Sequence, residues 1–200
     1  MIVLCMISAL AFGLLYGLSG IEITLVELIS KNTDIILYVL MFFIGISIGM
    51  QKDIFFKIKE YHIKIFIIPI GTIIGSFLGG IICSLILKIP IGYGTAITSG
   101  LGWYSLAGVT ISSLANAQIG SIAFLSNLMR EIISFLIIPF LATHFNYFTC
   151  IASAGATSED TTLPIILKYT NEETVVMSVF NGIICSLMVP FLISFCLKMV

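Results

Sequence analysis

The sequence predicts an all-α integral membrane protein of about seven hydrophobic segments, two of them interrupted helices meeting near the membrane midplane. Three observations lead there. Of 200 residues, 59% are hydrophobic and only 10% charged, with a mean hydropathy of +1.18, far above a soluble domain. The charges gather in short stretches between apolar runs near the ~20 residues that cross a bilayer. Glycine or proline falls inside two of those runs, where helical hydrogen bonding lapses. Residues 1–200 read as a single polytopic domain.

Met1–Ile21 carries no charge and forms the first helix, with Gly13 and Gly17 as a small-residue pair. No Lys or Arg precedes it and no small-residue cleavage site follows, so it reads as a retained helix rather than a signal peptide. The connection holding Glu22, Glu27, Lys31 and Asp34 repeats Ile21, Leu25, Leu28 and Ile29 at helical spacing, which suits a segment lying along the interface. Ile35–Gln51 is the second helix, with Gly45 and Gly49 four apart. Lys52, Lys57, Lys59 and Lys64 follow, four of the nine basic residues, offset only by Asp53 and Glu60. That density places the loop, and hence the N-terminus, on the cytoplasmic side.

Ile65–Leu87 is the third helix, with Gly71, Gly75 and Gly79 as a ridge for close helix packing. Ile89 to Met129 then contains 41 residues without a charge. A break near Asn116 divides it into Tyr93–Leu114, rich in glycine at Gly94, Gly100, Gly102 and Gly108, and Ala117–Ala142. The run Cys150–Leu167 is interrupted, Lys168–Glu173 is a polar turn, and Thr174–Leu197 is the last span, kinked at Pro190. The C-terminus lies outside if the interrupted run crosses fully. No internal repeat is visible.

The chemistry concentrates at two places. Within Gly155–Pro164, Glu159 and Asp160 sit at mid-depth, where an ionised group costs at least ~2.5 kcal/mol and must face protein, water or a partner. Asn127, Glu131 and Ser134 share one helical face at i, i+4 and i+7, bordered by Arg130. A Glu131–Arg130 ion pair would be the structural use of these residues, and a proton or cation site the functional one. Glu131, Glu159 and Asp160 outnumber the single arginine, which favours the second: at least one carboxylate carries a proton or a cation. Asp160 is preferred over Glu159, because Thr161 and Thr162 extend its polar patch toward Pro164.

The other place is Gly100–Gly108, where Trp103, Tyr104 and Ser105 line an opened backbone. Exposed carbonyls and N–H groups there suit the charged ends of a zwitterion, and an aromatic face suits an ammonium. Trp103 as a plain interface anchor is the alternative.

Several classes are excluded. A formal charge of −1 offers no basic surface for nucleic acid. The five cysteines, Cys5, Cys83, Cys150, Cys185 and Cys196, fall in apolar segments without paired spacing, so neither disulfides nor a metal site are expected. His62 reads as solvated and His144 as interfacial. No G-x-S-x-G elbow, H-E-x-x-H helix or phosphate loop occurs, so neither an enzyme nor a cofactor is expected.

Gly102-Trp103-Tyr104-Ser105-Leu106-Ala107-Gly108, Asn127-Leu128-Met129-Arg130-Glu131 and Gly155-Ala156-Thr157-Ser158-Glu159-Asp160-Thr161-Thr162-Leu163-Pro164 resemble, in order and separation, the three signature motifs of the lysine exporter LysO family. The resemblance covers roughly residues 1–200 and corresponds to that family's C-terminal domain. It implies a bacterial inner-membrane exporter of L-lysine, with Glu131 and Asp160 matching its important intramembrane acids. Glu159 stands where relatives are expected to carry an uncharged residue. Longer members carry additional N-terminal helices, which implies either a compact version or a separate small helical subunit.

The expectation is therefore a secondary transporter exporting L-lysine, or a close cationic analogue, by proton antiport. Its candidate binding residues are Glu131, Asp160, Glu159, Asn127, Arg130, Trp103, Tyr104, Ser105, Ser158 and Thr161. Protons, the lipid bilayer and a small membrane subunit or second copy are its expected partners. Two other classes stay open: a sodium- or proton-coupled exchanger for another solute, and a non-transporting subunit of a two-chain membrane complex.

Overall fold

The computed structural model of the chain describes residues 64–200 and isolated positions between 8 and 46. The chain divides into two units, 1–46 and 47–200. In the first, positions 15–19 are helical and the Tyr16 hydroxyl accepts the Ile23 N–H at 2.9 Å. Most of the expected spans Met1–Ile21 and Ile35–Gln51, the connection between them, and the basic loop with His62 lie outside the described residues.

The second unit is helical, with no strand among the described residues. Its elements are α1 (Lys64–Leu87), α2 (Ile91–Thr98), α3 (Tyr104–Leu114), α4 (Ala117–His144), α5 (Tyr147–Ala154), a 3-10 turn (Gly155–Glu159), α6 (Leu163–Tyr169) and α7 (Glu172–Leu197). Asparagine opens three of them. Asn116, Asn146 and Asn171 each accept a backbone N–H three residues on, from Ile119 (2.9 Å), Thr149 (3.0 Å) and Thr174 (2.9 Å). A short side-chain oxygen at the N-cap satisfies a donor that the helix leaves unpaired. Glu172 and Glu173 add favourable charge to the first turn of α7.

Among the described residues, three helices are long and apolar enough to cross a membrane: Phe66–Leu87, Ala117–His144 and Glu172–Leu197. They differ in burial. Of the apolar window of α7, 56% is buried, against 33% for α4 and 17% for α1. The helix α7 is accordingly the central post, packed by α1, α2, α3, α5, α6 and the 3-10 turn. A two-residue link turns α3 back along α4, and α5 folds back on α4 after it.

The contact between α1 and α2 uses a glycine beside the ridge that the sequence marks. Among the described residues, nothing lies within 4 Å of a Cβ placed at Gly71, Gly75 or Gly79. Among the described residues Gly80 packs closely, an added Cβ lying 2.8 Å from Thr95 Cα, and opposite it Gly94, 2.8 Å from the Gly80 carbonyl. Backbones this close exclude a side chain. Gly94→Ala is expected to destabilise the detergent-solubilised protein by about 1–3 kcal/mol, because the obstacle is backbone. Gly71→Ala leaves the melting temperature within error, and equal effects would contradict this packing.

Candidate functional site

Two turns touch at the centre of the second unit. The first, Ser99 to Trp103, separates α2 from α3; the second, beginning at Gly155, separates α5 from α6. The Leu101 carbonyl accepts the Ala156 N–H at 2.9 Å, joining them directly. Gly155 (φ +65°) has no freedom to be anything larger: an added Cβ would collide with the Leu101 carbonyl and sit 2.9 Å from Arg130 Nη2. Leu101 itself, fully buried, holds φ +51°. That left-handed conformation costs a side-chain-bearing residue ~1–2 kcal/mol, and the surrounding hydrogen bonds hold it.

Asn127 on α4 locks the first turn. Its Oδ1 accepts the Gly102 N–H at 2.8 Å, and its Nδ2 donates to the Ile97 and Ala123 carbonyls, both at 2.9 Å. Where α2 stops, its backbone groups lose their helical partners, and a carboxamide can serve both donor and acceptor. Asn127→Ala is expected to destabilise the protein by about 2 kcal/mol, through three lost hydrogen bonds and a buried N–H left unpaired. Asn127→Asp keeps the acceptor but loses the donor, so a melting temperature at the wild-type value for both variants would contradict the lock.

The second turn is clamped by α7. Ser158 Oγ donates to the Ser178 carbonyl at 2.8 Å, and Ser178 Oγ donates back to the Ser158 carbonyl at 2.7 Å. Asn181 Nδ2 reaches the Gly155 carbonyl at 2.8 Å and Ser158 Oγ at 2.9 Å. Ser186 Oγ donates to Glu159 Oε1 at 2.8 Å, and Gly182 lets the turn approach: an added Cβ would lie 2.6 Å from Glu159 N. Ser158 is thus a scaffold group, and Glu159 leans on α7.

The carboxylates differ in surroundings. Glu131 is 0% exposed, and neither oxygen has a hydrogen-bond partner among the described residues. Beside it lies Thr161, whose buried hydroxyl is also without a partner; the two are neighbours but not in hydrogen-bonding geometry. Asp160 lies within electrostatic range of Glu131, and Tyr104 lies within range of both. Asp160 is exposed, and its Oδ1 accepts the Thr161 N–H. The site thus grades from an open carboxylate to a closed one. Tyr104 is fixed by an edge-on contact with Phe124, ring centroids 5.3 Å apart.

Arg130 points elsewhere. Its Nη1 donates to Ser76 Oγ at 3.0 Å, Nη2 to the Ala152 carbonyl at 3.4 Å and Nε to the Ser153 carbonyl at 3.5 Å. Among the described residues it forms no ion pair, so the Glu131–Arg130 pairing is not how the helix uses these charges. A groove of about 610 Å³ between α1, α4 and α5 contains Arg130 but neither Glu131 nor Asp160. Trp103 and Ser105 are half-buried at the start of α3, with the Trp103 N–H on the Gly100 carbonyl at 2.7 Å.

The geometry thus brings Glu131, Asp160, Thr161 and Tyr104 together. It assigns Asn127 and Ser158 to the two turns and directs Arg130 toward α1 and α5, while Glu159 stays within electrostatic range of Asp160 but bonds Ser186 on α7. The sequence reading does not single out the α7 residues Ser178, Asn181, Gly182 and Ser186. Their signal was a stripe of small and polar residues at helical spacing inside an otherwise apolar span.

Comparison with known proteins places the chain. The profile of the family described as lysine exporter LysO matches residues 7–197. The lysine exporter LysO of Escherichia coli is 32% identical over 192 residues, covering 96% of this chain and 62% of that protein. A Haemophilus influenzae protein bearing the provisional name of lysine exporter is 36% identical over 162 residues, 80% of this chain and 81% of its own length. The chain therefore spans about 62% of the Escherichia coli relative. No solved structure matches it. Helices able to cross a bilayer and relatives in bacteria make it a multi-pass protein of the bacterial inner membrane. By the extent of the profile match, over residues 7–197, the chain belongs to the lysine exporter LysO family.

Proposed function

We propose that the chain is a secondary transporter that exports L-lysine, or a close cationic analogue, by exchange with protons. One observation carries the reading: a fully buried carboxylate, Glu131, with no hydrogen-bond partner among the described residues, next to Thr161 and within range of Asp160. An unpaired ionised carboxylate enclosed in protein is unfavourable by several kcal/mol, so the group holds either a proton or a cation. That alternation is what an exchanger needs. The relatives named as lysine exporters supply the substrate class.

In this reading α2 with α3, and α5 with α6, are two broken membrane segments among about seven, and their turns cross near the midplane. Irregular backbone is tolerated at that depth only where protein or a water-filled cavity covers it. Asp160, on the open side, receives the substrate ammonium; Glu131, on the closed side, shares it and gives up its proton. Tyr104 and the Thr161 hydroxyl complete the polar shell. The energetics favour exchange over uniport. Moving one positive charge outward against an inside-negative potential costs ~2.3 kcal/mol per 100 mV. Trading it for one proton removes that term and leaves the pH gradient as the drive.

Proteoliposomes holding the purified full chain test this. Labelled lysine is expected to accumulate against its gradient when a pH gradient is imposed, and to be insensitive to sodium. Flux that follows a sodium gradient, or no lysine flux at all, would overturn the assignment.

A further inference from the structure

We infer that the groove around Arg130 is a subsite for the α-carboxylate of the transported amino acid, distinct from the carboxylate pair that takes its ammonium; the inference rests on the amino-acid transport reading above. The groove runs from Ile67, Asn146 and Phe148 near helix ends to Ser76, Ser153 and Arg130 midway along α4. Its volume of about 610 Å³ falls in the range of small-molecule sites.

Among the described residues that line it, Arg130 is the one charged side chain, and its hydrogen-bonding capacity is under-used. A guanidinium offers five N–H donors in a planar fork. Three contacts are made, two of them as long as 3.4 and 3.5 Å. A second, independent feature points the same way. Thr72 lines the groove, is 6% exposed, and its hydroxyl has no hydrogen-bond partner among the described residues. A helical threonine ordinarily bonds the carbonyl one turn back, and buried hydroxyls are rarely left unpaired. Gly71 and Gly75, with nothing among the described residues within 4 Å of an added Cβ, present this wall as bare backbone.

Fork geometry, two adjacent hydroxyls and an open wall suit a planar oxyanion. Lipid phosphate is the other oxyanion at hand, but Arg130 lies midway along a 28-residue helix, well below headgroup depth. A carboxylate small enough to leave the headgroup layer is that of the substrate itself. Because the groove contains neither acid, it reads the amino-acid end of the molecule at one step of the transport cycle and Glu131 and Asp160 read its charge at another.

Competition against labelled lysine in proteoliposomes of the full chain tests this, using lysine, lysinamide and 1,5-diaminopentane as unlabelled competitors. In wild type, the two competitors lacking a carboxylate are expected to bind at least about tenfold more weakly than lysine, the worth of a charge-assisted hydrogen-bond pair. Because Arg130 also holds the carbonyls of α5, Thr72→Val and Ser76→Ala are the decisive variants. Each is expected to raise the half-saturating lysine concentration about three- to tenfold while leaving competition by 1,5-diaminopentane unchanged. Lysinamide equal to lysine in wild type, or both variants weakening lysine and the diamine alike, overturns the subsite while lysine transport stands. Phospholipid that copurifies with wild type and is lost in Arg130→Gln, with lysine and lysinamide indistinguishable, assigns the groove to lipid and overturns it too. Absence of any lysine flux in wild type overturns the transport reading and the subsite together.

Discussion

Glu131→Gln is expected to abolish lysine flux while the protein folds normally. Glutamine keeps the shape and removes the charge. In wild type the side chain is fully buried and neither oxygen has a partner among the described residues, so the fold loses no hydrogen bond through the substitution. The amide cannot take up a proton or pair with an ammonium. Losing one partner of a buried charge pair costs ~2–5 kcal/mol, which converts to a drop in flux of about 30-fold to several thousandfold. The melting temperature is expected to stay level, since the buried carboxyl already holds a proton or a cation and glutamine keeps its shape. Asp160→Asn should behave similarly, because its amide oxygen can still accept the Thr161 N–H. Glu159→Gln should be milder: its partner is Ser186 on α7, and glutamine preserves that bond. If instead Glu131→Gln unfolded the protein and left residual flux per folded molecule unchanged, the acid would be structural and the non-transporting reading would gain.

The second large effect is expected at Gly155, in the fold itself. Alanine there must adopt φ +65°, at ~1–2 kcal/mol, and its Cβ meets the Leu101 carbonyl and the Arg130 guanidinium. Neither obstacle yields cheaply, because Leu101 is held by the Ala156 N–H and Arg130 by Ser76 and α5. Overpacking adds ~1–3 kcal/mol, so Gly155→Ala should cost about 2–5 kcal/mol in all, a large share of an ordinary protein's stability. The readout is folded yield and melting temperature in detergent, with Gly71→Ala as the control that changes neither. Wild-type behaviour of Gly155→Ala would mean that the two turns do not meet as described.

Local chemistry was legible in the sequence wherever a single residue decides backbone behaviour. Glycine at 102 and 155 marked the places where the backbone takes positive φ, and asparagine at 116 marked a helix start. Helical spacing grouped Asn127, Glu131 and Ser134, and all three are buried on one face of α4. Periodicity says which residues share a face, not what each one touches. Asn127 turned out to bind the α2–α3 turn, Ser134 the Ser153 carbonyl, and Glu131 none of these. The direction of Arg130 was illegible for the same reason: it borders that face, and only tertiary packing decides whether it turns toward Glu131 or Ser76. Gly80 was hidden because a four-residue rhythm draws the eye to its neighbours, while the true contact depends on where α2 crosses. The clamp from α7 was hidden by distance along the chain, since Ser158 and Ser178 recognise each other only after folding.

The central claim is that a proton and the substrate cation compete for the Glu131–Asp160 pair. Proton release on lysine addition to the purified, detergent-solubilised chain, followed with a pH indicator in weak buffer, tests it most directly. The account predicts release of about one proton for each lysine bound, abolished in Glu131→Gln. Saturable lysine binding with no proton released, in wild type and variant alike, would contradict it.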